Sequence, residues 1–316
     1  MSPPTPKKTR TGNIAIDAEQ CGRRIDNFLI SFFKRMPRSR VYQMLRRGEV
    51  RVNGGRIKPE YRLQTGDAIR IPPVYEPKSE APDTAPARLV DMIGRCIIHE
   101  DARVIVINKP AGLPAHAGSG SYFGVIELLR ALFQQEDGLN LIHRLDKETS
   151  GCLMIARTMP VLRQLNQALR SGRIRKEYDA LLQGRLGQKL IKVDSPLRRY
   201  GNRAGDSKVR PDAQGKTALS EFTARASFQD ATQARVSIGT GRTHQIRVHA
   251  GSIGHPLAGD DKYGNREFNR KMRGLGLKRM FLHAAQLTVP ALQETGKYRF
   301  SAPLPADLEA VLKRMS

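Results

Sequence analysis

Between residues 72 and 86, five of fifteen positions are proline: Pro72, Pro73, Pro77, Pro82 and Pro86. Proline has no amide proton and a fixed φ, so neither a helix interior nor a central strand can run through such a stretch. The chain must therefore fold as a short piece before it and a long piece after it. The stretch itself reads as a tether that lets the two pieces move. The expected organisation is a disordered tail over 1–18, a small domain over 19–75, a Pro-rich linker over 76–90 and a larger domain over 91–316. A length of 316 residues suits two domains.

The short piece begins with a helical pattern. Ile25, Leu29 and Phe32 or Phe33 recur at helix spacing. Pro37 interrupts, Ser39 offers an N-cap, and Val41, Met44 and Leu45 line one side of a second helix. Gly48 is placed to end it. The period then drops to two at Val50 and Val52, with Asn53-Gly54 as a turn signal. Ile57, Leu63, a Thr65-Gly66-Asp67 turn, Ile69 and Ile71 follow. Two small helices against a small twisted sheet are expected.

Charge narrows the function. The formal net charge is +24, from 54 Lys and Arg against 30 Asp and Glu. Residues 1–74 alone hold 16 basic and 6 acidic side chains. A field of this strength attracts polyanions. On the second helix, Arg38, Arg40, Arg46 and Arg47 lie close together. Guanidinium groups in a cluster suit phosphate contacts, and these four are the expected RNA-binding residues. No run of about 18 apolar residues exists to span a membrane, and no signal peptide is evident. Cys21, Cys96 and Cys152 are sparse and lack metal-ligand spacing. A cytoplasmic protein with no membrane contact is expected.

The long piece mixes elements without a regular βαβ beat. Strands are expected at 104–107, 152–156, 178–182, 218–226, 234–238, 282–287 and 297–300, and helices at 125–133 and 161–169. This predicts an α+β domain built on a mixed, mainly antiparallel β-sheet.

Several chemistries are excluded by spacing. Gly215-Lys216-Thr217 mimics the end of a nucleotide-binding loop, but the required glycine position holds Arg210. There is no Gly-x-Ser-x-Gly elbow and no His-Glu-x-x-His. His244 and His249 are five apart, a poor fit to one helical face. The His-x-Glu and Pro-Cys-x-x-Cys pair of zinc deaminases is missing. No metal site is expected.

Three polar segments remain. His143-Arg144-Leu145-Asp146-Lys147-Glu148-Thr149-Ser150-Gly151 packs charge just ahead of an apolar strand. Arg175-Lys176-Glu177-Tyr178 is the second. The third runs from Gly239 to His249 and sets Arg242 and Arg247 in a stretch alternating with apolar residues. Loops held by core strands are common places for chemistry. By themselves these segments describe a polar cleft and name no reaction.

The segment 143–151 resembles the signature of the RluA/RluC-type family of pseudouridine synthases. Asn108-Lys109-Pro110-Ala111-Gly112, Lys176-Glu177-Tyr178, Gly241 to His249 and Phe281-Leu282-His283-Ala284 resemble that family's other motifs. Residues 22–71 resemble an S4-type RNA-binding domain. Arg24-Ile25-Asp26-Asn27-Phe28-Leu29, the stretch 56–61 and Lys262-Tyr263-Gly264 point within the family to enzymes of large-subunit ribosomal RNA. Cys152 stands where the family commonly has Leu.

The resemblance implies a fold and a reaction. The fold is a small S4-like domain followed by a pseudouridine synthase catalytic domain. The reaction is isomerisation of uridine to pseudouridine in 23S ribosomal RNA, by base flipping, C1′–N1 cleavage and C1′–C5 religation. By resemblance, Asp146 is the catalytic carboxylate, Arg247 pairs with it and Tyr178 stacks on the base. Arg144 helps fill the gap left by the flipped nucleotide, and Ile246 and Leu282 wall the uracil. No cofactor is implied. The expected partner is large-subunit ribosomal RNA, with a monomer and no obligate protein partner. Alternatives are the same chemistry on tRNA or other RNA, and a non-catalytic RNA-binding ribosome-assembly factor.

Overall fold

The computed structural model describes residues 12–18, 20–33, 36–73, 84–118, 121–134, 136, 138–201, 208–291 and 297–315. The chain divides into two compact units, Met1–Asp83 and Thr84–Ser316.

In the first unit, helices Ile25–Phe32 and Arg38–Arg47 pack against a three-stranded antiparallel sheet. Ala68–Ile71 is the central strand, between Gly12–Ala15 and Arg51–Val52. Ile25, Leu29, Phe33, Val41, Met44 and Ile69 are sealed in its core. Gly48 adopts φ 69°, ends the second helix and donates its amide to Leu45. Asn53 and Gly54 both have positive φ, as a tight hairpin turn requires.

Two expectations change here. The tail expected over 1–18 ends earlier, because Gly12–Ala15 pairs with Ala68–Ile71 in register Gly12↔Ile71. Ile14 and Ile16 supply a short period-two pattern, and Ile16 is buried. Residues 1–11 of that tail lie outside the described residues. Ser39 is not the N-cap. Pro37 holds that place with φ −56°, and its carbonyl accepts the amides of Arg40 and Val41.

The linker expected over 76–90 also changes. Its residues 76–83, with Pro77 and Pro82, lie outside the described residues, but Pro86 caps a helix, Ala87–Arg95. Proline is favoured at a helix start because its missing amide proton has no partner there in any case.

The second unit is built on a ten-stranded sheet. Its order is Ile97–Glu100, Val104–Lys109, Ser150–Ala156, Leu282–Pro290, Arg175–Gln183, Ala231–Ile238, Leu219–Ser227 and Leu190–Asp194. Lys297–Ser301 pairs with Leu282–Pro290, and Asn140–Leu141 with Ser150–Ala156. Every pairing is antiparallel except one: Ser150–Ala156 runs parallel to Leu282–Pro290. Both of those strands therefore begin at the same edge, which brings the polar segment before Ser150 beside Leu282.

Alternation sorts the side chains. Ile105, Ile107, Leu153, Ile155, Tyr178 and Ala180 face helices Val125–Leu132 and Ala87–Arg95. Val104, Val106, Cys152 and Met154 face helix Met159–Arg170 on the other side. Farther along, helices Arg266–Gly274 and Ala306–Met315 cover Leu181 and Phe281. Gly151, with φ 110°, is required where the two parallel strands meet. A Cβ there would lie 2.2 Å from the carbonyl oxygen of Ala284.

The stretch after Gly239 is not extended throughout. Gln245–Ser252 is a helix, and Arg242 stays in the loop before it. Gln245, Ile246, Val248, His249 and Ala250 are all buried, polar and apolar alike, so the apolar residues trace no 3.6-residue stripe. Polar bonds hold it instead. Gln245 donates to Leu219 O (2.8 Å), and His249 bonds Ser220 Oγ and Ser195 O (both 2.9 Å). Among the described residues, no helix is long and apolar enough to cross a membrane.

Candidate active site

The loop ahead of Ser150–Ala156 is fastened from beneath by Lys109. This side chain is fully buried, and its ammonium donates to the carbonyls of Pro110 (2.8 Å), Leu113 (2.8 Å) and Lys147 (3.1 Å). The Gly112 amide reaches the same Lys147 carbonyl at 2.9 Å. Burial lowers the Lys109 amine to about 7, against the nearby charges of Glu148 and Asp146. The Asn-Lys-Pro segment thus sets the height of the loop that carries Asp146. Thr149 N closes the turn onto Asp146 O at 3.1 Å.

Asp146 meets Arg247 across 101 positions of sequence. Nη1 of Arg247 donates to its Oδ2 at 3.2 Å. The other face of the guanidinium is clamped by Asp260, with Nε to Oδ2 at 2.7 Å and Nη2 to Oδ1 at 2.8 Å. Asp260 is only 1% exposed. Its Oδ1 also accepts the amides of Lys262 (2.9 Å) and Tyr263 (3.0 Å). Burial alone would raise its carboxyl. Arg247 and these amides outweigh that and hold it below the usual carboxylate range. Arg247 is pushed up in turn: its two carboxylate neighbours overcome its own burial.

His244 opens the helix in the left-handed region at φ 54°. Its Nδ1 lies 2.9 Å from Tyr263 Oη, and its Nε2 lies 3.8 Å from Asp146 Oδ2. The guanidinium of Arg247 sits over the Tyr263 ring, 5.0 Å from the centroid. Burial lowers the His244 imidazole below its ordinary value, against the pull of Asp146.

Tyr178 comes from strand Arg175–Gln183, in register with Val236. Burial, then the charge of Asp146, pushes its phenol up, so it stays neutral. Two residues earlier on the same face, Lys176 is buried and donates to Thr240 O at 3.1 Å, holding the loop that contains Gly241. Burial, then the charge of Arg242, lowers its amine to about 8.

One cleft gathers these groups. Arg144, Asp146, Tyr178, Ile246, Arg247 and Leu282 all line it, with Leu145, Thr149, Ile238 and residues 241–245. It measures about 480 Å³ counting its mouth. The catalytic and pocket residues named from sequence therefore share one concavity with an apolar wall and a paired carboxylate.

Asp260, His244, Tyr263 and Lys109 were given no role by sequence reasoning. Tyr263 lies in a segment that points to large-subunit enzymes, and Lys109 in the family's opening motif. Asp260 sits in a Gly259-Asp260-Asp261 run that looks like an ordinary turn. Only contact across the fold shows what it holds.

Of the four arginines expected to bind RNA, Arg40 is paired within the protein. Arg40 forms a paired contact with Glu49 (2.9 and 3.3 Å) and also bonds Gln43, so its charge is largely answered. Arg46 and Arg47 are exposed, with Arg47 4.0 Å from Glu49. The side chain of Arg38 lies outside the described ones. Two further arginines converge on the end of the helix. Arg51 Nε is 3.4 Å from Gly48 O, and the Arg56 side chain lies against Gly48. Cations there also complement the helix C-terminus.

Comparison with known proteins adds the context of the site. A family model described as RNA pseudouridylate synthase matches residues 103–252, and one described as S4 domain matches residues 23–69. The chain is 42% identical over 303 residues to the ribosomal large subunit pseudouridine synthase C of Haemophilus influenzae, covering 96% of this chain and 94% of that one. It is 43% identical over 316 residues to the protein of the same description from Escherichia coli, covering 98% of each. Among solved structures it is similar to human RNA pseudouridylate synthase domain containing 4, with a TM-score of 0.61 and 26% identity over 72% of this chain and 95% of that one.

Proposed function

The chain belongs to the RNA pseudouridylate synthase family, and from that premise we propose that it converts specific uridines of 23S, large-subunit ribosomal RNA into pseudouridine. The observation that carries the reading is the Asp146–Arg247 pair, set in a cleft walled by Tyr178, Ile246 and Leu282.

A uracil within an RNA stem must leave the stack before any side chain reaches its C1′–N1 bond. Arg144 is exposed at the mouth of the cleft, placed to fill the space the nucleotide leaves. The neutral phenol ring of Tyr178 offers the base a stacking surface, and Ile246 and Leu282 close round it. Asp146, oriented by the hydrogen bond from Arg247, starts cleavage of C1′–N1. The detached uracil turns and rejoins through C5. C5 loses its proton and N1 gains one, so the product is an isomer. The walls formed by Tyr178, Ile246 and Leu282 keep the base from escaping while it turns.

The S4 domain supplies backbone affinity through phosphate contacts, which position the RNA without reading its sequence. The sparse cysteines support a cytoplasmic enzyme, and we propose that it acts as a monomer. Asp146→Asn keeps the shape and removes the charge. The variant should bind large-subunit RNA normally and form no pseudouridine, as read by release of the C5 hydrogen from tritiated uridine. Turnover near the wild-type rate would overturn the assignment.

A further inference from the structure

Two hydrogen bonds meet at Tyr263 Oη. The backbone amide of Val209 donates to Tyr263 Oη at 2.9 Å. Having accepted that amide, the phenol still has its own proton to donate, and His244 Nδ1 lies 2.9 Å away. Burial raises the phenol above its ordinary range, so this proton is retained. A neutral imidazole that accepts at Nδ1 carries its proton on Nε2. Nε2 faces Oδ2 of Asp146 at 3.8 Å. The same Oδ2 already receives Nη1 of Arg247 at 3.2 Å. Among the described residues, Oδ1 of Asp146 accepts no hydrogen bond.

The distance of 3.8 Å is too long for a hydrogen bond. It is within the closing that active sites undergo when substrate binds. Closing by less than 1 Å would bring Oδ2 within hydrogen-bond reach of two donors, Arg247 Nη1 and His244 Nε2. His244 cannot swing away easily, because its left-handed backbone and the Tyr263 contact fix its ring.

We propose that His244 is a positioning residue of the reaction: its Nε2 proton, aimed by Tyr263 and the Val209 amide, closes on Oδ2 of Asp146 and leaves Oδ1 as the reacting oxygen. This rests on the reading of Asp146 as the reactive carboxylate. The charged and titratable groups around His244 are Asp146, Asp260, Arg247, Lys262 and Tyr263. Arg247 and His244 are the donors that face Asp146, and Tyr178 is the neutral group beside it. Loss of one donor makes the carboxylate easier to protonate, so the acid limb of the rate must move to higher pH.

The test uses the full-length protein and large-subunit RNA transcript under single-turnover conditions, across the acid limb. His244→Ala should slow the reaction about 10- to 100-fold, leave RNA affinity unchanged and shift the acid limb upward by about half a unit or more. His244→Gln places an amide N–H where Nε2 was and should recover most of the lost rate and the original limb. Tyr263→Phe frees the imidazole to carry its proton on Nδ1 and should fall between the two. Alanine at full rate, or glutamine as slow as alanine with an unmoved limb, overturns the proposal. If His244→Ala does not fold, a folded Tyr263→Phe protein at the wild-type rate and limb overturns it instead. Asp146→Asn separates the two levels of inference. If it is inert while His244→Ala is fully active, only the role of His244 fails. If it is as active as wild type, the reading of the site fails.

Discussion

Asp260 holds Arg247 through two parallel hydrogen bonds of 2.7 and 2.8 Å, and so decides which guanidinium nitrogen is left for Asp146. A guanidinium between two carboxylates is satisfied only while both are present. Asp260→Asn leaves a buried cation with one acceptor fewer and no fixed orientation. Breaking a buried pair from one side costs about 3–5 kcal/mol. The variant should melt well below wild type and, where still folded, form pseudouridine at least about tenfold more slowly. Thermal unfolding followed by circular dichroism, with single-turnover assays, checks both. An unchanged melting temperature and rate would show that Asp260 holds nothing that matters.

Stability should depend on pH in two separate windows. The Asp260 carboxyl is lowered in the folded protein, so its contribution is full above the unfolded value near 3.8 and lost as pH falls through the folded value. In acid, wild type should lose this part and Asp260→Asn should have none to lose. Lys109 has the opposite chemistry. Its amine drops from 10.5 to about 7 on folding, so between those values the unfolded chain binds more protons. Stability must then rise with pH from about 7 towards 10, with Lys176 adding in the same sense above about 8. Chemical denaturation at pH steps across this range should show the rise, and Lys109→Met should flatten it. A wild-type curve flat from about 7 to 10 would mean that folding does not lower these amines.

Gly151 allows the parallel strands to approach. A methyl group there would meet the Ala284 carbonyl oxygen at 2.2 Å in a backbone conformation with φ 110°. The strand cannot yield without moving the loop that carries Asp146. Gly151→Ala should destabilise the second unit by about 3 kcal/mol or more, combining overpacking with backbone strain. Urea unfolding gives the measurement, and a loss under about 0.5 kcal/mol would contradict the close approach.

Much of this site is visible in sequence because its loops carry dense local identity. The segment 143–151 and the stretch 241–249 each hold several polar residues that packing alone would not require. Tyr178 and Leu282 are placed only by the resemblance of their segments to the family's motifs. Other features are set by contacts far along the chain. Asp260 looks like a turn residue until Arg247 is seen to rest on it. The helix Gln245–Ser252 hides because its buried residues are polar as well as apolar, which erases the period. The strand Leu190–Asp194 has only one buried residue, and the hairpin Leu197–Tyr200 with Lys208–Pro211 is largely exposed and basic, so neither carries a clear apolar alternation. Gly12–Ala15 was hidden among polar neighbours and is ordered by the strand it pairs with.

The first unit makes a prediction that separates its arginines. Arg40 is answered by Glu49 at 2.9 Å, whereas Arg46 and Arg47 are exposed and Arg51 and Arg56 gather at Gly48. Each phosphate neutralised contributes about −0.7 to −0.9 to the slope of log affinity against log salt. Replacing Arg46 and Arg47 together by Gln should therefore weaken RNA binding and flatten the slope by about one to two units. Arg40→Gln should leave the slope nearly as it was, because its charge already has a protein partner; its effect should fall on stability, by about 1 kcal/mol or less for so exposed a pair. Filter binding across a salt series, with melting curves on the same proteins, resolves the difference. If Arg40→Gln flattened the slope as much as the double variant, Glu49 would have to release Arg40 to the RNA, and the division of labour drawn from the free protein would be wrong.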